Sequence, residues 1–90
     1  MKKVIVNLND MNKIKLFVNA ASTFMSDIDL VNGRYAVDAK SIMGVFSLDL
    51  SKPIEAVIYS EDKEELDRFE EVMKIFLSST HSKIKQIIKK

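Results

Sequence analysis

Asn32-Gly33 stands between DIDLV and RYAVD, two stretches in which polar and apolar residues alternate. Alternation of this kind is the mark of a half-buried strand, and a two-residue loop whose glycine accepts positive φ joins two such strands with the right twist. The segment therefore predicts a β-hairpin with a type I′ turn at Asn32-Gly33. The rest of the chain has to supply the sheet around this hairpin and the layer that covers it.

KVIVNL is apolar and β-branched and is bounded by Asn9-Asp10, which predicts a buried first strand over residues 2–8. Ile14, Phe17, Val18, Ala21, Phe24 and Met25 then recur at three- and four-residue spacing, which predicts an amphipathic helix over 11–25 with Asp10 as its N-cap. A short helical segment over 41–48 opens at Ser41, places Ile42, Val45 and Phe46 on one face and leaves Met43 to the side. Gly44 weakens it from within. IEAVIYS, after Pro53, predicts a fourth strand, and residues 61–77 a third helix with the stripe Leu66, Phe69, Met73, Phe76 and Leu77.

The resulting order is β-α-β-β-α-β-α. A ferredoxin-like sheet needs a longer second helix to cover it, so the expected class is α+β: an open-faced, four-stranded antiparallel sheet with helices on one face. At 90 residues the chain is expected to form one domain over 1–78, followed by a basic C-terminal extension over 79–90.

Composition excludes several classes of function. A formal net charge of +1 provides no general attraction for nucleic acid or anionic membrane. Without cysteine there is no disulfide scaffold, thiolate metal site or cysteine nucleophile. The apolar run behind Met1-Lys2-Lys3 stops at Asn7, too short for a signal segment, so a soluble cytoplasmic protein is expected. Tyr35 and Tyr59 are too few for an aromatic RNA-binding sheet, and no P-loop, dinucleotide fingerprint or zinc-ligand spacing occurs. No enzyme active site, cofactor or metal site is expected.

Two readings of the Ser41 corner follow from the residues alone. Ser41 is an N-cap and Met43 covers a neighbouring loop, or Ser41 is a modification site and Met43 a flexible apolar docking contact. AKSIMGVFSLDL resembles the regulatory-serine segment of the histidine-containing phosphocarrier family, HPr, of the bacterial sugar phosphotransferase system. Lys40, Ser41, Ile42, Met43, Gly44, Val45, Ser47 and Leu48 carry the match. The resemblance implies phosphorylation of Ser41 by an ATP-dependent HPr kinase/phosphorylase. It also implies docking through Met43, Lys40, Ser47 and Leu48, with a catabolite-control transcription regulator as a further partner.

That family carries its phosphoryl group on a histidine in a turn of the form N-x-x-H-x-R-P-A. Here the turn reads NLNDMNKIKLF, with Asp10 in place of the histidine, Asn12 of the arginine and Lys13 of the proline. The single histidine, His81, lies beyond the third helix. The chain thus resembles Crh-like members, which lack the carrier histidine and act as regulatory partners. Asp10 is the only replacement nucleophile in the turn, through an acyl phosphate, but its position also suits a plain N-cap. Lys13 and Lys15 are either solvated or contacts for an anionic partner.

The tail SSTHSKIKQIIKK carries Lys83, Lys85, Lys89 and Lys90 with no acid, and Ile84, Ile87 and Ile88 fall in phase with Leu66 and Phe69. If helical, it suits self-association through 79–90; membrane binding is not expected. Three hypotheses stand: a signalling adaptor modified at Ser41, a phosphoryl carrier working through Asp10, and a structural self-association module.

Overall fold

The hairpin forms in a computed structural model that describes residues 1–77: β2 (Ile28–Asn32) and β3 (Tyr35–Asp38) pair antiparallel. Its loop, however, is Gly33-Arg34, because Asn32 pairs with Tyr35. Gly33, at φ 60°, is the only described residue with positive φ, which suits a type II′ turn, where only the first central residue needs it, and corrects the type I′ prediction. The register accounts for the change. It sets Val37 opposite the buried Leu30, where valine packs against the core, and leaves Tyr35 exposed at the tip.

β1 (Lys2–Val6) and β4 (Ile54–Ile58) complete an antiparallel sheet in the order β1-β4-β2-β3. β1 is not the buried strand predicted over 2–8. It ends at Val6, lies at the sheet edge and alternates: Val4 and Val6 turn inward while Lys3 and Ile5 are exposed. A sheet covered on one face buries only every second residue of an edge strand. β4, in the interior of the sheet, is the strand in which Ile54, Ala56, Val57 and Ile58 are all buried.

α1 (Met11–Ala21) turns Ile14, Phe17, Val18 and Ala21 into the core, as the spacing predicts. It stops four residues before the predicted 25. The Ser22 and Thr23 hydroxyls donate to the carbonyls of Val18 and Ala20, at 2.8 and 2.7 Å, and so compete for the acceptors of the last turn. Phe24 is still buried from the turn beyond, whereas Met25 is 94% exposed and leaves the stripe. α2 spans Ile42–Phe46.

α3 (Lys63–Met73) is capped by Asp62 rather than starting at 61, and it tightens into a 3₁₀ turn over Lys74–Phe76 before the predicted end. That turn delivers Phe76 edge-on to Phe17, ring centroids 5.3 Å apart, and Leu77 into an antiparallel bridge with Val6. Residues 79–90, including His81 and the isoleucines at 84, 87 and 88, lie outside the described residues.

Glu65 ties α3 to the loop after α1. Its carboxylate accepts from the backbone N–H groups of Met25 and Ser26, at 3.0 and 3.1 Å, and from the Ser26 hydroxyl. The Ser26 hydroxyl foremost, then that of Ser60 and the backbone N–H of Ser26, holds the acid down to about 2 from its ordinary 4.5. A depressed pKa stabilises the fold fully above the unfolded-state value, and that contribution is lost as pH falls from about 4.5 through about 2. Glu65→Gln is therefore expected to flatten the acid limb of a stability profile in this window, and an unchanged acid limb would dismiss the clamp.

Candidate functional site

Ser41 leaves β3 through a tight turn, its N–H donating to the Asp38 carbonyl at 3.0 Å, and caps α2 by accepting from the Gly44 N–H at 3.3 Å. The hydroxyl is half-buried. Only Val45 of this five-residue helix is buried; Ile42 and Phe46 are 37% and 43% exposed, against the core face predicted for them. A helix of barely more than one turn can direct only one side chain fully inward. Met43 is 77% exposed beside Ser41 in the chain, as its position off that face predicts.

The other residues of the matching segment divide between support and surface. The Lys40 ammonium donates to the Phe24 carbonyl at 2.8 Å, and its backbone N–H donates to Asp38 Oδ1 at 2.9 Å. Lys40 is thus half-buried and joins the end of α1 to the Ser41 corner. Leu48 packs against the core. Ser47 is exposed, with its hydroxyl donating to the Gly44 carbonyl. Ser47 and Leu48 line a depression of about 440 Å³ that they share with Tyr35 and Val37 of the hairpin.

Asp10 is on the surface and acts as the predicted N-cap of α1. Its Oδ1 accepts from the N–H groups of Asn12 and Lys13, at 2.7 and 3.4 Å. It borders an open depression of about 470 Å³ lined by Leu8, Met11, Ile14, Phe46 and Leu50 among others. The fold therefore joins Asp10 to the C-terminal end of α2, whereas Ser41 opens the other end of that helix and does not line the depression. Among the described residues no group of three or more His, Cys, Asp or Glu side chains is placed to hold a metal ion.

Sequence reasoning missed Met11 as an exposed residue and Leu50 as a half-buried one lining this depression, and it set Phe46 on one face with the buried Val45. Met11 falls in phase with Ile14 and Val18, three and seven residues on, but stands in the first turn of α1 and is 60% exposed, so spacing alone carries no signal for it. Beyond α2, Ser51 donates to the Asp49 carboxylate from its hydroxyl at 2.6 Å and its backbone N–H at 3.1 Å, holding that acid below its usual range.

Gly44 is not demanded by space or by φ. A Cβ there would meet Ser41 Oγ and Val37 Cβ at 3.5 Å, ordinary contact distances. Gly44→Ala is expected to raise stability by about 0.5–1 kcal/mol by restricting the unfolded chain and favouring helix, read as an upward shift of the denaturant midpoint. A downward shift would show that the corner requires glycine.

Three comparisons bear on this arrangement. A family model described as the PTS HPr component phosphorylation site matches residues 10–77. The HPr-like protein Crh of Bacillus subtilis (strain 168) is 37% identical over 57 residues, covering 63% of this chain and 67% of that protein. The crystal structure of HPr-C-His from Thermoanaerobacter tengcongensis is similar with a TM-score of 0.63 and 32% identity, over 76% of this chain and 84% of that one.

Proposed function

Because this chain belongs to the PTS HPr family, matched from α1 to the end of the described residues, we propose that it is a regulatory adaptor phosphorylated at Ser41 rather than a phosphohistidine carrier. The observation that carries this reading is the Ser41 corner. A half-buried hydroxyl caps a short helix, and a largely exposed methionine lies two residues further on. Phosphorylation keeps Oγ at the cap and adds charged acceptors beside backbone N–H groups, so the modification is compatible with the fold. Met43 then gives a partner a flexible apolar anchor next to the new charge.

The turn before α1 supports the negative half of the reading. A reversible carrier needs a nucleophile whose phosphorylated form transfers readily, and the turn offers the Asp10 carboxylate, which is engaged in capping α1. Asn12 and Lys13 supply neither imidazole nor guanidinium. The HPr kinase/phosphorylase is the partner that modifies Ser41, a catabolite-control transcription regulator is the partner that reads it, and the cytoplasm is where both would be met.

Intact mass after incubation with ATP and an HPr kinase tests this directly. One phosphoryl group is expected, lost in Ser41→Ala and absent when phosphoenolpyruvate and Enzyme I replace ATP and kinase. Phosphorylation from phosphoenolpyruvate, abolished in Asp10→Asn, would replace the adaptor with a carrier working through the carboxylate. No modification in either reaction would leave a fold retained for binding alone.

A further inference from the structure

The face of the sheet turned away from the helices has an unbalanced surface. The register aligns Lys3, Val57, Asp29 and Asp38 in one row across the sheet and Ile5, Glu55, Val31 and Ala36 in the next. Asp29 and Asp38 are direct cross-strand partners, and like charges so placed repel. Asp29 is hydrogen-bonded by Tyr59 and Asp38 accepts from the Lys40 N–H, but among the described residues neither they nor Glu55 forms a salt bridge. Beside these carboxylates lie apolar residues: Ile5, at the β1 edge, is 48% exposed, Val31 is half-buried, Ala36 is exposed, and Tyr59, 48% exposed, continues the alternation of β4 on the same side. The face thus calls for a ligand that is both basic and apolar.

The chain carries such a segment, and it starts at the right edge. Leu77, in extended conformation at φ −62° and ψ 154°, bridges Val6 antiparallel. An antiparallel partner of Val6 points along the outer edge of β1 toward Lys3, at the border of the open face and away from the Asp10 depression. Residues 79–90 hold Ile84, Ile87 and Ile88 at helical spacing, with Lys83, Lys85, Lys89 and Lys90 and no acid. The four strands span about 14 Å from β1 to β3 at ~4.8 Å per gap. Residues 82–90, as a helix, measure about 14 Å at ~1.5 Å per residue.

We propose that the C-terminal segment 79–90 docks in cis on the open face of the sheet. Its isoleucines cover Ile5, Val31 and Ala36, and its lysines neutralise Asp29, Glu55 and Asp38. This assigns the tail a partner within its own chain and leaves the Ser41 and Met43 corner free. It does not depend on the function proposed for that corner.

The chain has no cysteine, so Ser82→Cys gives a unique attachment site for a nitroxide spin label. In a dilute ¹⁵N-labelled sample the amide signals of Ile5, Val31 and Ala36 are expected to be lost, while those of Met43 and Phe46 persist. Placing Ile87→Ser and Ile88→Ser in the same chain should restore the lost signals without moving those of the buried Leu30 and Phe69. Asp29→Asn with Glu55→Gln should restore them in part, as should raised salt. Persistence of the open-face signals, loss at Met43 and Phe46 instead, or loss seen only when unlabelled spin-bearing chains are mixed with ¹⁵N chains would each overturn the proposal, the last in favour of a second copy.

Discussion

Phe17→Ala is expected to cost about 3–5 kcal/mol, the range for removing a buried phenylalanine ring, against a total stability of about 5–15 kcal/mol for a domain. Phe17 is fully buried in the centre of α1, and its ring meets Phe76 edge-on at 5.3 Å. Phe76 belongs to the 3₁₀ turn whose carbonyl accepts from the Asn7 N–H at 2.7 Å, so the cavity would open where α1, β1 and the end of the described chain meet. Surrounding side chains can fill little of it, because the large side chains of the same core, Leu8 and Met73 among them, are themselves fully buried. Urea unfolding followed by circular dichroism reads the loss as a lower midpoint with an unchanged slope. Leu16→Ala is the control. Leu16 is adjacent in sequence but 55% exposed, and its removal is expected to change stability by no more than about 0.5 kcal/mol. Equal effects of the two substitutions would contradict the assignment of the inward face of α1.

Met43→Asp is expected to give the largest effect on binding, with almost none on stability. Met43 is 77% exposed, and Val45, not Met43, anchors α2 in the core, so thermal unfolding should match that of the unsubstituted chain. On the proposed function, however, Met43 is the apolar contact beside phosphorylated Ser41. Replacing it removes buried area at the centre of the contact and places a second negative charge there. Central anchors of this kind are worth about 2 kcal/mol or more, so affinity of the phosphorylated protein for the regulator should fall by roughly thirtyfold or more. Met43→Leu, which keeps the apolar volume, should retain most of the affinity. Titration calorimetry on protein first phosphorylated with ATP separates the effect on the kinase from that on the regulator. Unaltered affinity of Met43→Asp would move the docking surface elsewhere, with Met11 and Phe46 beside the Asp10 depression as the next residues to replace.

Much of the fold can be read along the chain because it is written in local periodicity. The spacing of Ile14, Phe17, Val18 and Ala21 encodes one buried face of a helix, and each of the four is buried. The N-caps Asp10 and Ser41 are likewise local, since a short polar side chain reaches N–H groups two or three residues on. The α+β class and the antiparallel sheet follow from element order and from the shortness of α2. The match to the HPr family was visible in the segment around Ser41, where the sequence is most specific, and a family model covers residues 10–77.

Where local periodicity misled, a distant contact had decided the outcome. The run VIV reads as a buried strand, yet β1 lies at an edge, and edge position depends on which strands pair. Met25 fell in the helical stripe, but the hydroxyls of Ser22 and Thr23 end α1 first, and Glu65 fixes the turn beyond by accepting from the Met25 N–H, 40 residues away in sequence. Lys40, a docking residue by resemblance, also makes a contact that no local pattern records: its ammonium donates to the Phe24 carbonyl, 16 residues away in sequence. Phe46 had the right spacing for the core but belongs to a helix too short to bury it, and it borders the depression with Asp10 instead.

By itself the sequence determined the order of the helices and strands, the caps Asp10 and Ser41, the α+β class and the family, because spacing and capping are properties of neighbours along the chain. The tertiary structure decided the hairpin register, the exposed side of β1, the Glu65 clamp and the separation of Asp10 from Ser41. Each of these depends on which distant groups compete for the same hydrogen-bond partner or the same space in the core, and no local pattern records that competition.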